Sequence, residues 1–237
     1  MDKIELRKQA LQHRKRNEKQ LRVAGILGAA QAVFLKKGYH NATMDDIALA
    51  AGLSKPTLYR YFNGKGHLFF SFIEAIIDVI HEEISAIDRQ LKSRDFKSGK
   101  AFIRAHFDAL FRIYRKSPEA FRLVNLISES GDYKALNDRY RSIITEKMQV
   151  NVNEGRAVFS TAMRQGLIQR HDVEAIVDLI YGFFIGPIQA FHMSTQIQNG
   201  FSEPDAVDAA LAHRIELVVD ILGKGLSNTT ILEEEGV

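Results

Sequence analysis

The 237 residues predict an all-α protein, with a small N-terminal three-helix helix-turn-helix domain joined to a larger helical body. Three observations carry this. Apolar residues recur at helical spacing along most of the chain, most persistently through Leu68, Phe69, Phe72, Ile73, Ile76, Ile77, Ile80, Ile84 and Ile87. No stretch shows credible strand alternation. Between Thr43 and Lys65, TMDDIALAAGLSKPTLYRYFNGK, start and stop signals for two short helices follow one another across a tight turn.

In chain order, residues 1–20 read as a basic arm, in which Arg7, Lys8, Arg14, Lys15, Arg16 and Lys19 stand with almost no acid and Arg22 follows. Such an arm is either a frayed tail or a source of extra phosphate or minor-groove contacts. The first helix is predicted over Val23–Lys37, with Val23, Ile26, Leu27, Ala30 and Phe34 on one face and Gly38 ending it. Thr43 and Asp46 then form a capping signal, and Met44, Ile47, Ala48 and Ala51 make the apolar face of a short helix. Gly52 stands where a left-handed residue ends that helix. Ser54 caps the next, whose early Pro56 costs no hydrogen bond.

With Leu58 in the core, Phe62 lies beside it, and Pro56, Thr57, Tyr59 and Arg60 fall opposite, bordered by Lys55 and Tyr61. A lysine, an arginine, a hydroxyl and two phenols on one exposed face suit a DNA groove. The cations meet phosphates, the hydroxyls meet phosphates or base edges, and Arg60 is placed for a guanine. The bland alternative is a solvated face of a small helical hairpin.

The block from Ile26 to Leu68 resembles the DNA-binding domain of the TetR family of bacterial transcriptional regulators. The carrying residues are Ala30, Phe34, Gly38-Tyr39, Ala42-Thr43, Ile47-Ala48, Ala51-Gly52-Leu53-Ser54, Thr57-Leu58-Tyr59, Tyr61-Phe62, Lys65 and Leu68. The resemblance implies DNA contacts from Thr43, Ser54, Lys55, Pro56, Thr57, Tyr59, Arg60, Tyr61 and Lys65. It places the helix-turn-helix domain at 21–68 and a regulatory and dimerisation domain at 69–226, leaving 227–237 as a disordered tail. Gly66 departs from the acidic residue common after the lysine, so the next helix is expected to start less well.

Charge and composition agree with this. Residues 1–68 hold thirteen Lys/Arg against five Asp/Glu, while the rest holds nineteen against twenty-four. A basic front and an acidic rear are what DNA binding at one end predicts. The absence of cysteine excludes a disulfide framework, a thiolate zinc site and a cysteine nucleophile, and fits a reducing cytoplasm. The start MDKIELRKQALQ has no apolar signal core, and the longest apolar stretch, from Ile180 to Ile188, is too short and glycine-broken to suggest a membrane span. Enzyme readings fail on motif. Gly64-Lys65-Gly66 lacks the spacing of a phosphate loop, His81-Glu82-Glu83 lacks a second histidine, and no G-x-S-x-G elbow exists. No histidine pair at helical spacing signals a metal, and no cofactor is expected.

In the body, an aromatic face runs through Phe102, His106, Phe107, Leu110, Phe111 and Tyr114. Pro118 restarts the chain behind Ser117, and a longer helix follows from Asp132, with Gly155 and Gly166 as weak points. Asp172 caps an apolar helix, and Ser202-x-x-Asp205 caps a last one ended by Gly223 and Gly225. These aromatics are ordinarily plain core. The resemblance adds the expectation of a small, mainly apolar effector lodged among His106, Phe107, Phe111, Tyr181 and Phe184. It also implies a homodimer paired through the last two helices, by Gly182, Gly186, Leu211, Ile215, Val218 and Leu222. Two recognition helices then address a palindromic operator in successive major grooves, roughly 34–36 Å apart. The expectation is therefore a dimeric, ligand-responsive repressor. The alternative is a DNA-binding architectural or division-associated protein of the same fold whose body binds a protein partner.

Overall fold

The computed structural model describes residues 3–129, 136–197 and 204–227, with side chains described except at 3–4, 125–129, 191–197 and 204–211. Among these residues lie α1 (Lys3–Lys37), α2 (Met44–Ala50), α3 (Lys55–Tyr59), α4 (Lys65–Lys92), α5 (Gly99–Lys116), α6 (Pro118–Glu129), α7 (Asp138–Arg164), α8 (Val173–Ile197) and α9 (Pro204–Leu226). The one extended pairing among them is an isolated bridge between Ile168 and Ser227. The all-α class is as expected. The chain divides into two compact units, Met1–Ile76 with Ser117–Glu146, and Ile77–Lys116 with Lys147–Val237.

The first unit is built around the helix-turn-helix. Ile26, Ala30 and Phe34 of α1, Ile47 of α2, Leu58 of α3, and Leu68 and Phe69 of α4 are all buried to 1% exposure or less. Aromatic edges lock this core, with Phe34 meeting Phe72 edge-on at 6.3 Å and Tyr39 tilted on Phe69 at 5.4 Å. Tyr140 stacks on Phe70 at 4.6 Å and on His67 at 5.6 Å, so the first turn of α7 covers the first turns of α4.

α1 departs from expectation. It begins at Lys3 rather than Val23 and runs unbroken for 35 residues. The reason lies in its composition: residues 3–22 contain no Gly or Pro and are rich in Leu, Gln, Glu, Lys and Arg, all strong helix formers. An Arg14–Glu18 pair at 3.0 Å adds a small i,i+4 contribution. Helix periodicity alone found only the part with an apolar face to bury.

α4 starts at Lys65 despite Gly66, because the His67 ring nitrogen accepts from the Asn63 amide at 3.3 Å and satisfies one donor ahead of the helix. Asn137 caps α7 by accepting from the Tyr140 amide at 2.9 Å. The expected start of that helix at Asp132, the cap at Ser202, and the tail beyond Ser227 lie outside the described residues.

The second unit packs α5 against α8 and α9. Phe102, Ile103, Phe107, Phe111 and Tyr114 are buried along α5, with Phe184 edge-on to Phe111 at 6.5 Å. α9 lies close on α5: a Cβ at Gly223 would sit 3.0 Å from the Lys100 Cγ. Gly223 and Gly225 therefore do not end α9, which continues to Leu226; Gly223 serves close helix approach instead. Gly155 is likewise inside α7, while Gly166, at φ +75°, closes that helix as a left-handed residue. Paired ions flank the α5–α9 seam, Arg104 holding Glu216 through both guanidinium nitrogens and Lys100 reaching Asp220 at 2.6 Å.

Candidate nucleic-acid interface and ligand cavity

The helix-turn-helix is fixed by reciprocal caps. The Thr43 hydroxyl accepts from the Asp46 amide at 3.1 Å, and the Thr43 amide donates to the Asp46 carboxylate at 3.1 Å. Lys37 adds a 2.6 Å contact to the same carboxylate. That ammonium, with the Thr43 hydroxyl and amide, lowers the Asp46 pKa to about 2. Gly52 turns the chain at φ +63°, where a Cβ is disfavoured. The Ser54 hydroxyl then accepts from the Thr57 amide at 3.4 Å and shares a 2.8 Å hydrogen bond with the Thr57 hydroxyl.

With Leu58 fully buried and Phe62 beneath it, α3 presents its other side outward. Ser54, Lys55, Pro56, Tyr59 and Arg60 are exposed, Thr57 and Tyr61 half-buried, and Thr43 lies exposed at the head of α2. Lys55 is paired with Asp45 at 2.9 Å, an exposed contact that a phosphate can replace at little cost. The structure thus brings eight of the nine predicted contact residues to one exposed or half-exposed region of the motif.

Lys65 behaves differently. Its ammonium donates to the carbonyls of Tyr39 and His40, each at 2.8 Å, and of Ala42 at 3.2 Å. An ammonium has three donors, and these acceptors use them all. Lys65 therefore fastens the turn before α2 rather than presenting its charge outward.

The second unit contains a cavity of about 210 Å³. Ile77, Ile80, Ile84 and Ile87 of α4 form one wall, and His106, Ala109, Leu110 and Ile113 of α5 another. Met148, Asn151, Val152, Gly155 and Phe159 of α7 face them, and Val177, Ile180 and Tyr181 of α8 complete the lining with Glu83. Of the five residues predicted to contact an effector, His106 and Tyr181 line the space, whereas Phe107, Phe111 and Phe184 are buried but do not. The physical reason is rotation: His106, Ala109 and Ile113 share one stripe of α5, and Phe107, Phe111 and Tyr114 the stripe about 100° away. The sequence reading missed the isoleucines of α4 and all of α7, whose small and aliphatic lining gave no aromatic signal.

Four lining residues carry polar groups: Tyr181, Asn151, His106 and Glu83, whose carboxylate accepts from Arg112. The Asn151 amide is anchored, donating to the Ile77 carbonyl at 2.9 Å. His106 is only 8% exposed, meets Phe159 edge-on at 4.9 Å, and its Nδ1 has no hydrogen-bond partner. Burial lowers its pKa to about 4, so the ring is neutral at physiological pH and Nδ1 is available to a ligand.

The predicted dimer residues separate into two groups. Gly182 and Gly186 lie exposed on α8 with open space beyond them. Ile215, Val218 and Leu222 are instead buried, at 6%, 7% and 6% exposure, within their own chain. The apolar residues α9 leaves outward are Leu217 and Ile221, and α8 leaves Leu179 and Tyr181. The Leu211 side chain lies outside the described ones. The Val173–Ala190 stretch of α8, with mean hydropathy 1.4, is long and apolar enough to cross a membrane by length and composition alone, and only 22% of it is buried.

Residues 26–72 match the sequence family described as bacterial regulatory proteins, tetR family. The chain is 32% identical over 99 residues to the transcriptional activator FasR of Mycolicibacterium smegmatis, covering 42% of this chain and 43% of FasR. It is 28% identical over 159 residues to the uncharacterized regulator YdeS of Bacillus subtilis, covering 66% and 73%. The chain thus spans less than half the length of FasR in that match. The fold extends further. The TetR-family regulator PfmR from Thermus thermophilus superposes with TM-score 0.62 at 21% identity, over 82% of this chain and 97% of PfmR. FadR from Bacillus subtilis, solved with stearoyl-CoA, gives 0.58 at 20% identity, over 85% and 98%. AibR, solved with isovaleryl coenzyme A and operator DNA, gives 0.61 at 20%, over 85% and 98%. The helix-turn-helix of this chain is thus similar in sequence to the TetR family of bacterial transcriptional regulators over residues 26–72, and its helical fold is similar to that of TetR-family regulators over most of its length.

Proposed function

We propose that this protein is a dimeric repressor, held on a palindromic operator by its α3 faces and released by a small, mainly apolar effector bound in the second unit. The observation that carries the reading is the pairing of two built sites in one chain: a doubly capped helix-turn-helix with an outward Tyr59–Arg60 face, and an aliphatic cavity with one unpaired buried histidine. Arg60 and Tyr59 reach base edges, Lys55 exchanges Asp45 for a phosphate, and Lys65 keeps the turn in place.

The cavity sets the ligand class. Its mostly aliphatic lining suits an aliphatic chain carrying one polar group able to hydrogen-bond to His106. FadR and AibR were solved with acyl-CoA ligands, which supports an acyl group in this role.

The homodimer is supported by what the fold leaves uncovered. Leu179, Tyr181, Leu217 and Ile221 are exposed apolar residues on the last two helices, and Gly182 and Gly186 offer a close-approach step between them. A second copy covers these residues, and a partner helix accounts for the low burial of α8 without a membrane. α4 supplies both the Lys65 clamp at its first residue and four isoleucines of the cavity wall. Ligand binding that favours one arrangement of this helix is thereby linked to DNA affinity.

The test is selection of duplexes from a random pool with the full-length protein, followed by affinity measurement with isovaleryl-CoA, octanoyl-CoA and stearoyl-CoA. Selected sequences are expected to be palindromic, and a short acyl-CoA to weaken binding at least fivefold. Binding of these ligands without any change in DNA affinity would overturn the repressor reading and favour a body that binds a protein.

A further inference from the structure

The proposed function leaves the first twenty-two residues unused, and they are the most basic part of the chain. Residues 3–22 hold eight Lys/Arg against two Asp/Glu, on a helix that is exposed almost throughout. The charges are ordered. At about 100° per residue, Lys8, Lys15, Lys19 and Arg22 fall within roughly 60° of one another on a single stripe. The lower end of this stripe meets the reading face, because Lys15, Lys19 and Arg22 of α1 line one cleft together with Arg60 and Tyr61. Glu18 is the acid in that cleft, and it is already engaged by Arg14.

We infer that the N-terminal extension of α1 is a second DNA-contacting element, a helical rail whose Lys8–Lys15–Lys19–Arg22 stripe follows the phosphate backbone outward from the Arg60 contact. This rests on the DNA-binding reading above and adds to it the duplex flanking the half-site. Geometry decides the mode of contact. A helix is about 10–12 Å across with its side chains, and the minor groove of B-DNA is about 6 Å wide, so the extension lies along the backbone and does not thread the groove. Its twenty residues from Lys3 to Arg22 reach about 30 Å, the length of about nine base pairs. The side opposite the stripe carries Leu6, Ala10, His13, Asn17 and Leu21, so polar groups separate its two leucines, and Leu11 stands beside the stripe itself. An interfacial membrane helix needs a continuous apolar face opposite its charged one, so the arrangement favours a nucleic acid over a lipid surface.

The experiment compares the full-length protein with the Lys8→Gln/Lys15→Gln/Lys19→Gln variant, which keeps helix propensity and removes exposed charges only. Each is titrated with two duplexes from the random-pool selection, the core alone and the core extended by ten base pairs on both sides, across a range of NaCl concentrations. The wild type is expected to bind the extended duplex more tightly and with a steeper dependence of log affinity on log salt. The variant should lose that difference, its slope falling by about 0.9 for each phosphate contact removed. Equal slopes for both proteins on both duplexes would overturn the inference while leaving the DNA-binding reading intact. A wild type that selects no duplex at all would overturn both. Loss of binding to vesicles of 30% anionic phospholipid, with unchanged DNA slopes, would assign the stripe to a membrane and overturn it too.

Discussion

The Lys65 ammonium lies 4.8 Å from the centre of the Tyr39 ring and donates to the Tyr39 carbonyl at 2.8 Å. The first residue of α4 thereby holds the turn that leads into the cap of α2. Lys65→Met leaves three carbonyls without this donor and should destabilise the protein by about 2 kcal/mol in urea unfolding. It should also lower DNA affinity, as the turn carrying Thr43 loosens. Unchanged stability with a reduced salt slope would instead return Lys65 to the phosphate contacts.

Arg60→Ala and Tyr59→Ala act on the outward face alone. Both side chains are exposed, so thermal stability should stay within about 0.5 kcal/mol of wild type. Affinity for the selected duplex should fall by about 1–3 kcal/mol for a lost base contact. Gel-shift titration and a melting curve on the same samples separate the two effects.

His106 makes the second unit acid-sensitive. Its folded pKa, about 4, is below the ordinary 6.5. Between those values the unfolded chain holds more protons, so stability is complete above about pH 6.5 and declines as pH falls through 4. The loss attributable to this group is at most about 3.5 kcal/mol, at about 1.4 kcal/mol per pH unit. In His106→Leu, unfolding free energies at pH 6.5 and 4.5 should lie closer together than in wild type. An identical pH dependence would show that the ring is already protonated or exposed.

Gly155 faces the cavity from inside α7, with nothing within 4 Å of where a Cβ would stand. Gly155→Ala should stabilise the protein by about 0.5–1 kcal/mol through helix propensity alone. Gly155→Leu should reduce acyl-CoA binding at least tenfold in calorimetry while leaving ligand-free DNA affinity unchanged. A destabilised Gly155→Ala would mean the space is smaller than the structure gives.

On α9, neighbouring positions should behave oppositely. Ile221, 53% exposed, becomes a dimer-breaking site: Ile221→Asp should yield a folded monomer by analytical ultracentrifugation. Val219, fully buried, should fail to fold as Val219→Asp, because an unpaired charge enters the core. A stable Ile221→Asp dimer would move the interface elsewhere.

The sequence was most legible where local chemistry decides the structure. Thr43, Gly52, Ser54 and Pro56 each act through the backbone beside them, and each cap or turn appears where its residue type requires one. It was less legible where rotation about a helix decides. Phe107 and His106 are adjacent, yet one is core and the other wall, and only the packing of α4 and α7 on α5 separates them. The same holds on α9, where Val218 and Leu222 are buried and Leu217 and Ile221 are exposed. An apolar stripe shows that a helix is covered, without showing whether by its own chain or by another. Residues 3–22 escaped for a third reason: they form helix by propensity, with no buried face to leave a periodic trace.

Thermodynamic linkage between the cavity and the α3 face is tested most directly by one dissociation constant. It is that of the full-length protein for its selected duplex, measured with and without saturating isovaleryl-CoA, in wild type and in Gly155→Leu. Binding at least fivefold weaker with ligand is expected in wild type and no ligand effect in Gly155→Leu, the two proteins being equal without ligand. An equal ligand effect in both proteins would contradict the cavity as the site of control, and ligand binding with no effect in either would contradict the linkage itself.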